Sequence, residues 1–396
     1  MSASLSARNR LGNALMWIMP LVVLGLMVWA FLAGDPLRLA RRGLPPVENL
    51  AIQRIEAVPG ALRVEILNAG AAPATIAQVA VDDAYWSFEA EPSTTLPRLG
   101  STTVSIPYPW VRSEPVTVTL ITSTGLTFTR TLDLAVEVPR PGGREFLTYG
   151  LLGVYVGIVP VGLGMLWLPA LRRLGRRGMG AVLALTVGLL VFLLIDTMLE
   201  ALELAAEIPG TFQGTALVLF AALITWLGIM AVGRSGRGRT AAPPSALFVA
   251  GLIALGIGLH NFGEGLAIGA AFALGEAALG SFLVVGFTLH NITEGVGIAA
   301  PLTREPARVR TLIGLVLLAG FPAVLGAWLG GFAFSPLLAA VFLGIGAGAI
   351  WQVIVEVGGL LRRQAESAGE SPVNMVNLAG FLLGLAVMYL TAFLVK

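Results

Sequence analysis

Nine apolar runs, each long enough to cross a ~30 Å hydrocarbon core as a helix, constrain this chain more than anything else in it. The first covers about residues 11 to 33. The others cover about 147 to 170, 181 to 204, 211 to 232, 245 to 274, 278 to 300, 311 to 332, 336 to 360 and 375 to 395. Lipid offers no partner to backbone polar groups, so such runs must be helices, and the fold class is mainly α, a polytopic membrane protein. The composition agrees, with 56% hydrophobic and 12% charged residues, a balance that would leave a soluble globule without a soluble surface. The partner is the lipid bilayer. Nucleic acid is not expected, because the formal net charge is +2 and the arginines sit in short loops rather than on one face. There is no cysteine, which removes disulfides, thiolate metal sites and thiol nucleophiles; any metal ligands must be nitrogen or oxygen.

The runs divide the chain into three parts. Residues 1–46 read as a cytoplasmic N-terminus, an anchor helix and a linker. Phe31-Leu32-Ala33 is a poor small-residue cleavage site, which favours an uncleaved anchor over a signal peptide. Residues 47–139 are polar, with strand patterns at 61–67, 102–106, 116–122 and 127–135 separated by Pro, Gly and Asn-Ala-Gly breaks. About seven short strands in that length point to an immunoglobulin-like β-sandwich. Its acids Asp82, Asp83, Glu89 and Glu91 form no calcium-loop pattern, so a structural or partner-binding module is expected in preference to metal capture. Residues 140–396 form an eight-helix unit.

Arginines set the orientation, because cytoplasmic loops carry the excess of basic residues. Arg172, Arg173, Arg176 and Arg177 lie in one loop, then Arg234, Arg237 and Arg239, then Arg304, Arg308 and Arg310, then Arg362 and Arg363. The alternate turns near Ile208, Gly275 and Ser335 have no basic residue. The β-domain and the C-terminus are therefore expected outside and the N-terminus in the cytoplasm. Arg38, Arg41 and Arg42 run against this, but four consistent loops outweigh one flank.

The chain's two histidines occupy matching heptapeptides, residues 259–265 (LHNFGEG) and 289–295 (LHNITEG), inside adjacent apolar runs. His and Glu at i and i+4 share a helical face, so His260 with Glu264, and His290 with Glu294, each offer a nitrogen and a carboxylate from consecutive turns. In an antiparallel hairpin pivoting at Ala277, His260 falls level with Glu294 and His290 level with Glu264. Asn261 and Asn291 add neighbouring amide oxygens. An ionised carboxylate at mid-bilayer costs about 2.5–3.5 kcal/mol on insertion scales, and two together repel. A divalent cation removes both penalties. The alternative is a structural pair in which each histidine bonds its own glutamate.

At these residues the chain resembles the ZIP family of divalent-metal transporters, in particular its prokaryotic GufA-like branch, whose fourth and fifth helices carry motifs of His-Asn-x-Pro-Glu-Gly type. Gly263 and Thr293 stand at the proline positions. The resemblance implies an eight-helix unit with both ends outside and a metal centre between helices four and five. It also implies that His260, Asn261, Glu264, His290, Asn291 and Glu294 are the ligands. Many GufA-like members carry a glutamate before proline on the sixth helix to serve a second metal; Phe321 precedes Pro322 here, so a fully occupied binuclear centre is not implied. Glu356 resembles a glutamate on the inner part of the family's pathway. Its other reading is a snorkelling acid paired with Arg362 or Arg363.

One further feature stands apart from the family. Asp196, Glu200, Glu203 and Glu207 form a stripe along the second helix of the unit. An acidic stripe gathers cations, so Asp196 and Glu200, the deeper pair, are candidate metal residues, while Glu203 and Glu207 read equally as a solvated face. The expectation is a transporter and not an enzyme. Its substrate is a divalent transition metal, foremost Zn(II), with Fe(II), Mn(II) and Cd(II) also suited to these ligands. It needs no resident cofactor, and it sits in a bacterial inner or plasma membrane. An intramembrane di-metal enzyme and a metal-gated sensor using the β-domain are the alternatives, and a homodimer is left open.

Overall fold

The structure is a computed structural model that describes residues 19, 21–30, 33, 48–133, 135–137, 142–236, 245–273, 277–305, 307–333 and 335–395. Residues Met1–Val47 and Glu48–Lys396 are separate compact units. Of the expected anchor run, the apolar helix Leu21–Ala30 is described. Arg38, Arg41, Arg42, Arg237, Arg239 and the Gly275 turn lie outside the described residues.

In the second unit, nine strands precede the helices: β1 Leu50–Val58, β2 Ala61–Asn68, β3 Ala74–Val81, β4 Ala84–Trp86, β5 Glu89–Glu91, β6 Thr95–Leu96, β7 Ser101–Ile106, β8 Val116–Thr122 and β9 Thr127–Leu132. They pair antiparallel in two sheets, ordered β1-β2-β7-β5 and β4-β3-β8-β9, with β6 also on β3. Alternation places Leu62, Val64 and Ile66 of β2, Val104 and Ile106 of β7, and Val118 and Leu120 of β8 in one apolar core, so the region is a small β-sandwich. The last strand is shorter than the sequence pattern implies: β9 ends at Leu132, where the apolar alternation gives way to Asp133.

Asp82 and Asp83 take positive φ (47° and 66°) in the β3–β4 turn, the backbone of a type I′ hairpin. Asp82 is committed to structure there, with Oδ2 accepting from the Tyr108 hydroxyl at 2.6 Å and Oδ1 from the Thr117 N–H at 2.9 Å.

Eight long helices follow among the described residues. They are α1 Gly143–Leu171, α2 Arg176–Glu207, α3 Gly214–Gly236, α4 Ala246–Ala273, α5 Ala277–Ala299, α6 Val309–Ala333, α7 Pro336–Glu366 and α8 Met375–Val395. Among the described residues, seven helices, the first seven spans of this series, are long and apolar enough to cross a membrane, which marks the chain as a membrane protein. The expected eighth span is a helix of 21 residues, but its described apolar stretch, Met375–Leu390, is shorter than those seven. The helix after that turn begins earlier than the glycines predicted. α5 already includes Ala277–Gly280, because Ala-Ala-Leu favours helix over turn.

Glycines let the helix backbones touch, and they touch within two sets of helices. In one set, a methyl built on Gly265 of α4 would lie 2.1 Å from the Ala323 carbonyl oxygen of α6, and one on Gly326 of α6 would lie 2.0 Å from that of Phe262. Likewise Gly164 of α1 meets the Ile292 carbonyl of α5 at 2.0 Å. In the other set, Gly188 of α2 meets Phe381 of α8 at 2.2 Å and Gly348 of α7 meets Ala222 of α3 at 2.1 Å, again at carbonyl oxygens. Between α1/α4/α5/α6 and α2/α3/α7/α8, the corresponding nearest atoms are side chains or lie farther off: Val353 Cγ2 for Gly256, Thr186 Cγ2 at 3.1 Å for Gly297, and His260 Cα at 3.3 Å for Gly346.

The β-sandwich is seated on the α2–α3 corner. Arg130 donates to the carbonyls of Ile52 and Gln53 at 2.7 and 2.9 Å and lies 3.6 Å from Glu207 at the end of α2. The Thr211 hydroxyl donates to the Ala69 carbonyl at 2.6 Å. The arginine-bearing loops meet at the opposite end, where Arg172 donates to Glu305 O at 3.0 Å and Gln364 donates to Arg176 O at 2.6 Å.

Two predictions follow from this packing. Gly265→Ala should lower thermal stability in detergent by about 1–3 kcal/mol, the cost of overpacking a core, whereas Gly251→Ala, where the added methyl meets open space, should leave the melting temperature unchanged. The Tyr108 hydroxyl is pushed up from 10.0 to about 12, first by its hydrogen bond to Asp82 and then by burial. Because the folded value is the higher one, its stabilisation is full below pH 10.0 and is lost as pH rises towards about 12. Phenolate absorbance, read as the difference from Tyr108→Phe, should move back towards the ordinary tyrosine value in Asp82→Ala.

Candidate metal centre

α4 is helical through a glycine-rich sequence because its neighbours bury most of it, and it carries His260, Asn261 and Glu264 into the bundle interior. α5 runs back beside it with His290, Asn291 and Glu294. All six side chains are buried, none more than 7% exposed. Burial of that many polar groups demands an account of their partners.

The two halves are not equivalent. His260 Nε2 lies 3.0 Å from Glu264 Oε1 on its own helix. His290 Nε2 also contacts Glu264 Oε1, across the hairpin and at close range, instead of bonding Glu294 on its own helix. Asn291 donates to Glu264 Oε2 at 3.0 Å. Glu264 therefore collects three donors, and an ionised Glu264 requires both imidazoles to carry their proton on Nε2. Glu294 makes no well-formed hydrogen bond: the Asn261 amide acts on it only outside good hydrogen-bond geometry. The alternative of two self-contained His–Glu pairs thus holds for His260 alone.

The asparagines are held by backbone. Asn291 donates to the Val156 carbonyl of α1 at 3.1 Å. Val156 lies in a π-helical stretch, Val154–Ile158, and stands four residues before Pro160, which has no N–H to offer it. Asn261 donates to the Ala319 carbonyl of α6 at 3.1 Å, three residues before Pro322. With their amide nitrogens fixed on carbonyls, both asparagines direct Oδ1 elsewhere, and both Oδ1 atoms are buried without a donor.

Four unmatched acceptor atoms, two amide and two carboxylate oxygens, thus share the interior with two imidazoles. Ligand atoms of His260, His290 and Glu294 lie within 4.8 Å of one another, a grouping that can hold a metal ion. The space beside it, about 10 Å³ against His290, Thr293 and Glu294 and walled by Leu193 and Met388, admits about one water at most. The centre is closed on that side.

The remaining sequence candidates lie outside this cluster. Asp196 is half-buried and Glu200 exposed on α2, and neither joins a metal-sized group among the described residues. Glu203 and Glu207 are exposed, and Glu207 serves Arg130. Glu356 of α7 is buried, accepts from Gln352 at 3.1 Å, and lines a separate cavity near the arginine-rich end. Phe321 is 43% exposed and contributes nothing to the centre. Sequence reasoning missed Gln352 and the two carbonyls that hold the asparagines. Gln352, four residues before Glu356 on one helical face, was legible; the carbonyls had only Pro160 and Pro322 as a signal.

Asn261→Leu should remove the α4–α6 hydrogen bond to the Ala319 carbonyl and cost about 0.5–1.5 kcal/mol. Thermal unfolding in chelator should show the loss with no metal bound, which separates anchoring from ligation.

No protein-family model matches this chain, and no curated protein does.

Proposed function

We propose that the protein carries a divalent transition metal across the membrane, in the manner of the ZIP transporters that its heptapeptides resemble, with Zn(II) as the best-suited substrate. One observation carries this reading: six buried His, Asn and Glu side chains converge from α4 and α5, and four of their oxygens have no donor. Acceptors without donors are what a cation supplies with partners. His260, His290 and Glu294 form the primary ligands, with Asn261, Asn291 and Glu264 completing the set. Glu264 holds both imidazoles when no metal is bound, and a metal taking Nε2 displaces those protons, which keeps affinity moderate and release feasible. Borderline nitrogen and oxygen ligands suit Zn(II), Fe(II), Mn(II) and Cd(II).

The helix packing supports the family's transport mode. Backbone-to-backbone contacts knit α1, α4, α5 and α6 together, and α2, α3, α7 and α8 together, while looser contacts join the two sets. Movement of the first set against the second would expose the centre to each side in turn. Uptake into the cytosol follows if the arginine-rich end is cytoplasmic, with the β-sandwich outside. The strand order β1-β2-β7-β5 against β4-β3-β8-β9 supports an immunoglobulin-like topology, the second sheet having one added edge strand. With Phe321 facing away, we propose one metal position and not two. Asp196 and Glu200 are proposed to gather cations on approach, without ligating at the centre.

The test is flux of a divalent panel in proteoliposomes of the full chain. Wild type should move Zn(II), and His260→Ala with His290→Ala should reduce flux by at least about tenfold, the scale on which metal sites lose function with their supporting groups. Equal flux from a folded double variant overturns the reading.

A further inference from the structure

A cavity of about 250 Å³ lies between α3 and α7 near the arginine-rich end, away from the metal centre. Arg234, Arg362 and Arg363 line it, with Gln352 and Glu356. Three guanidinium groups against one carboxylate make its field positive, which repels a metal cation and attracts an anion. Arg363 uses Nε on the Gly359 carbonyl at 3.1 Å, and Arg362 uses Nε in an exposed pair with Glu366 at 3.6 Å; neither contact engages the terminal guanidinium nitrogens.

A second observation sits at the inner wall. Gln352 is 3% exposed, and its Nε2 donates to Glu356 while its Oε1 is buried with no donor. The cavity therefore needs an anion at its basic rim and an N–H donor beside Gln352, next to a carboxylate that favours positive charge. Val355, 49% exposed, also lines it, so the cavity borders the apolar outer face of the bundle.

We propose that this cavity binds the phosphoethanolamine headgroup of a membrane phospholipid, the phosphate on Arg234, Arg362 and Arg363 and the ammonium on Gln352 Oε1 beside Glu356. Basic pockets between membrane helices near the interface are a recurrent headgroup site, and arginine forks suit phosphate. The volume equals that of about eight waters at ~30 Å³ each, roughly the number of non-hydrogen atoms in phosphoethanolamine. A trimethylammonium headgroup has no N–H for Gln352 and is bulkier. The proposal does not depend on metal transport, since it concerns other residues and another ligand.

Native mass spectrometry of the delipidated full chain tests it, with added phosphatidylethanolamine, phosphatidylcholine or phosphatidylglycerol of identical acyl chains, and with soluble O-phosphoethanolamine. Phosphatidylethanolamine should bind tightest. Arg362→Ala with Arg363→Ala should weaken it by about tenfold or more, as loss of charge-assisted bonds does. Gln352→Leu should abolish the preference for ethanolamine over choline while keeping phosphate-dependent binding. Melting temperatures of the lipid-free variants confirm folding, and Gln352→Glu, which keeps an acceptor, should retain the preference if Gln352→Leu fails to fold. Equal binding of the three lipids, tighter binding of phosphatidylglycerol, or soluble phosphoethanolamine binding as tightly as the lipid would each overturn the proposal.

Discussion

The polar centre depends on how closely bare helix backbones approach one another. An asparagine side chain is short, and Asn291 reaches the Val156 carbonyl only because α1 and α5 touch at Gly164 and Gly295. Asn261 reaches Ala319 for the same reason, α4 and α6 touching along Gly258, Gly265 and Gly326. Any side chain at these glycines would part the helices by more than such a hydrogen bond tolerates. In a bundle whose outside is lipid, there is no hydrophobic drive to restore the contact. The glycines thus position ligands they never touch.

The same approach explains why the centre is rich in acceptors. Pro160 in α1 has no N–H for the Val156 carbonyl, which the Asn291 amide satisfies, while in α6 the Asn261 amide bonds Ala319, next to the Leu318 carbonyl that Pro322 deprives. Each amide nitrogen is turned towards its carbonyl, Asn291 also donating to Glu264, and each amide oxygen is buried unmatched. Glu264 takes the donors that remain, namely two imidazoles and one amide, and Glu294 is left with no well-formed hydrogen bond. The asymmetry between two nearly identical heptapeptides follows from supply: there are too few donors for both carboxylates.

A bundle of apolar helices, their approximate bounds and the level pairing of His290 with Glu264 were legible in the sequence, because apolar run length and the i,i+4 period are local properties that antiparallel geometry extends across one turn; of the nine runs, seven are long and apolar enough to span among the described residues. The β-strands were legible through alternation, and the end of β9 was not, since the pattern weakens where pairing stops. The inequality of Glu264 and Glu294 could not be read from matching motifs. It is decided by rotamers chosen in competition for shared donors, which no spacing encodes. Glu356 shows the converse limit. Its place on α7 resembles a pathway position, and its other reading pairs it with Arg362 or Arg363; it lines one cavity with those two and with Arg234, which only the end of α3 brings there, and Gln352 donates to it.

Charge is sorted along the bundle in a way that makes the two helix sets unequal. α2, α3, α7 and α8 carry the arginine-lined cavity at one end and, through Arg130 with Glu207 and Thr211 with Ala69, the β-sandwich at the other. Both attachments sit on the set that lacks the histidines. A headgroup held at one end and a folded domain at the other would hinder displacement of that set relative to the bilayer. In the transport reading, the motion then falls to α1, α4, α5 and α6, which hold both imidazoles and all four unmatched oxygens of the centre. Such a set can slide without opening its own interior, because its internal contacts are backbone to backbone, while the surface it slides on is made largely of side chains that can repack.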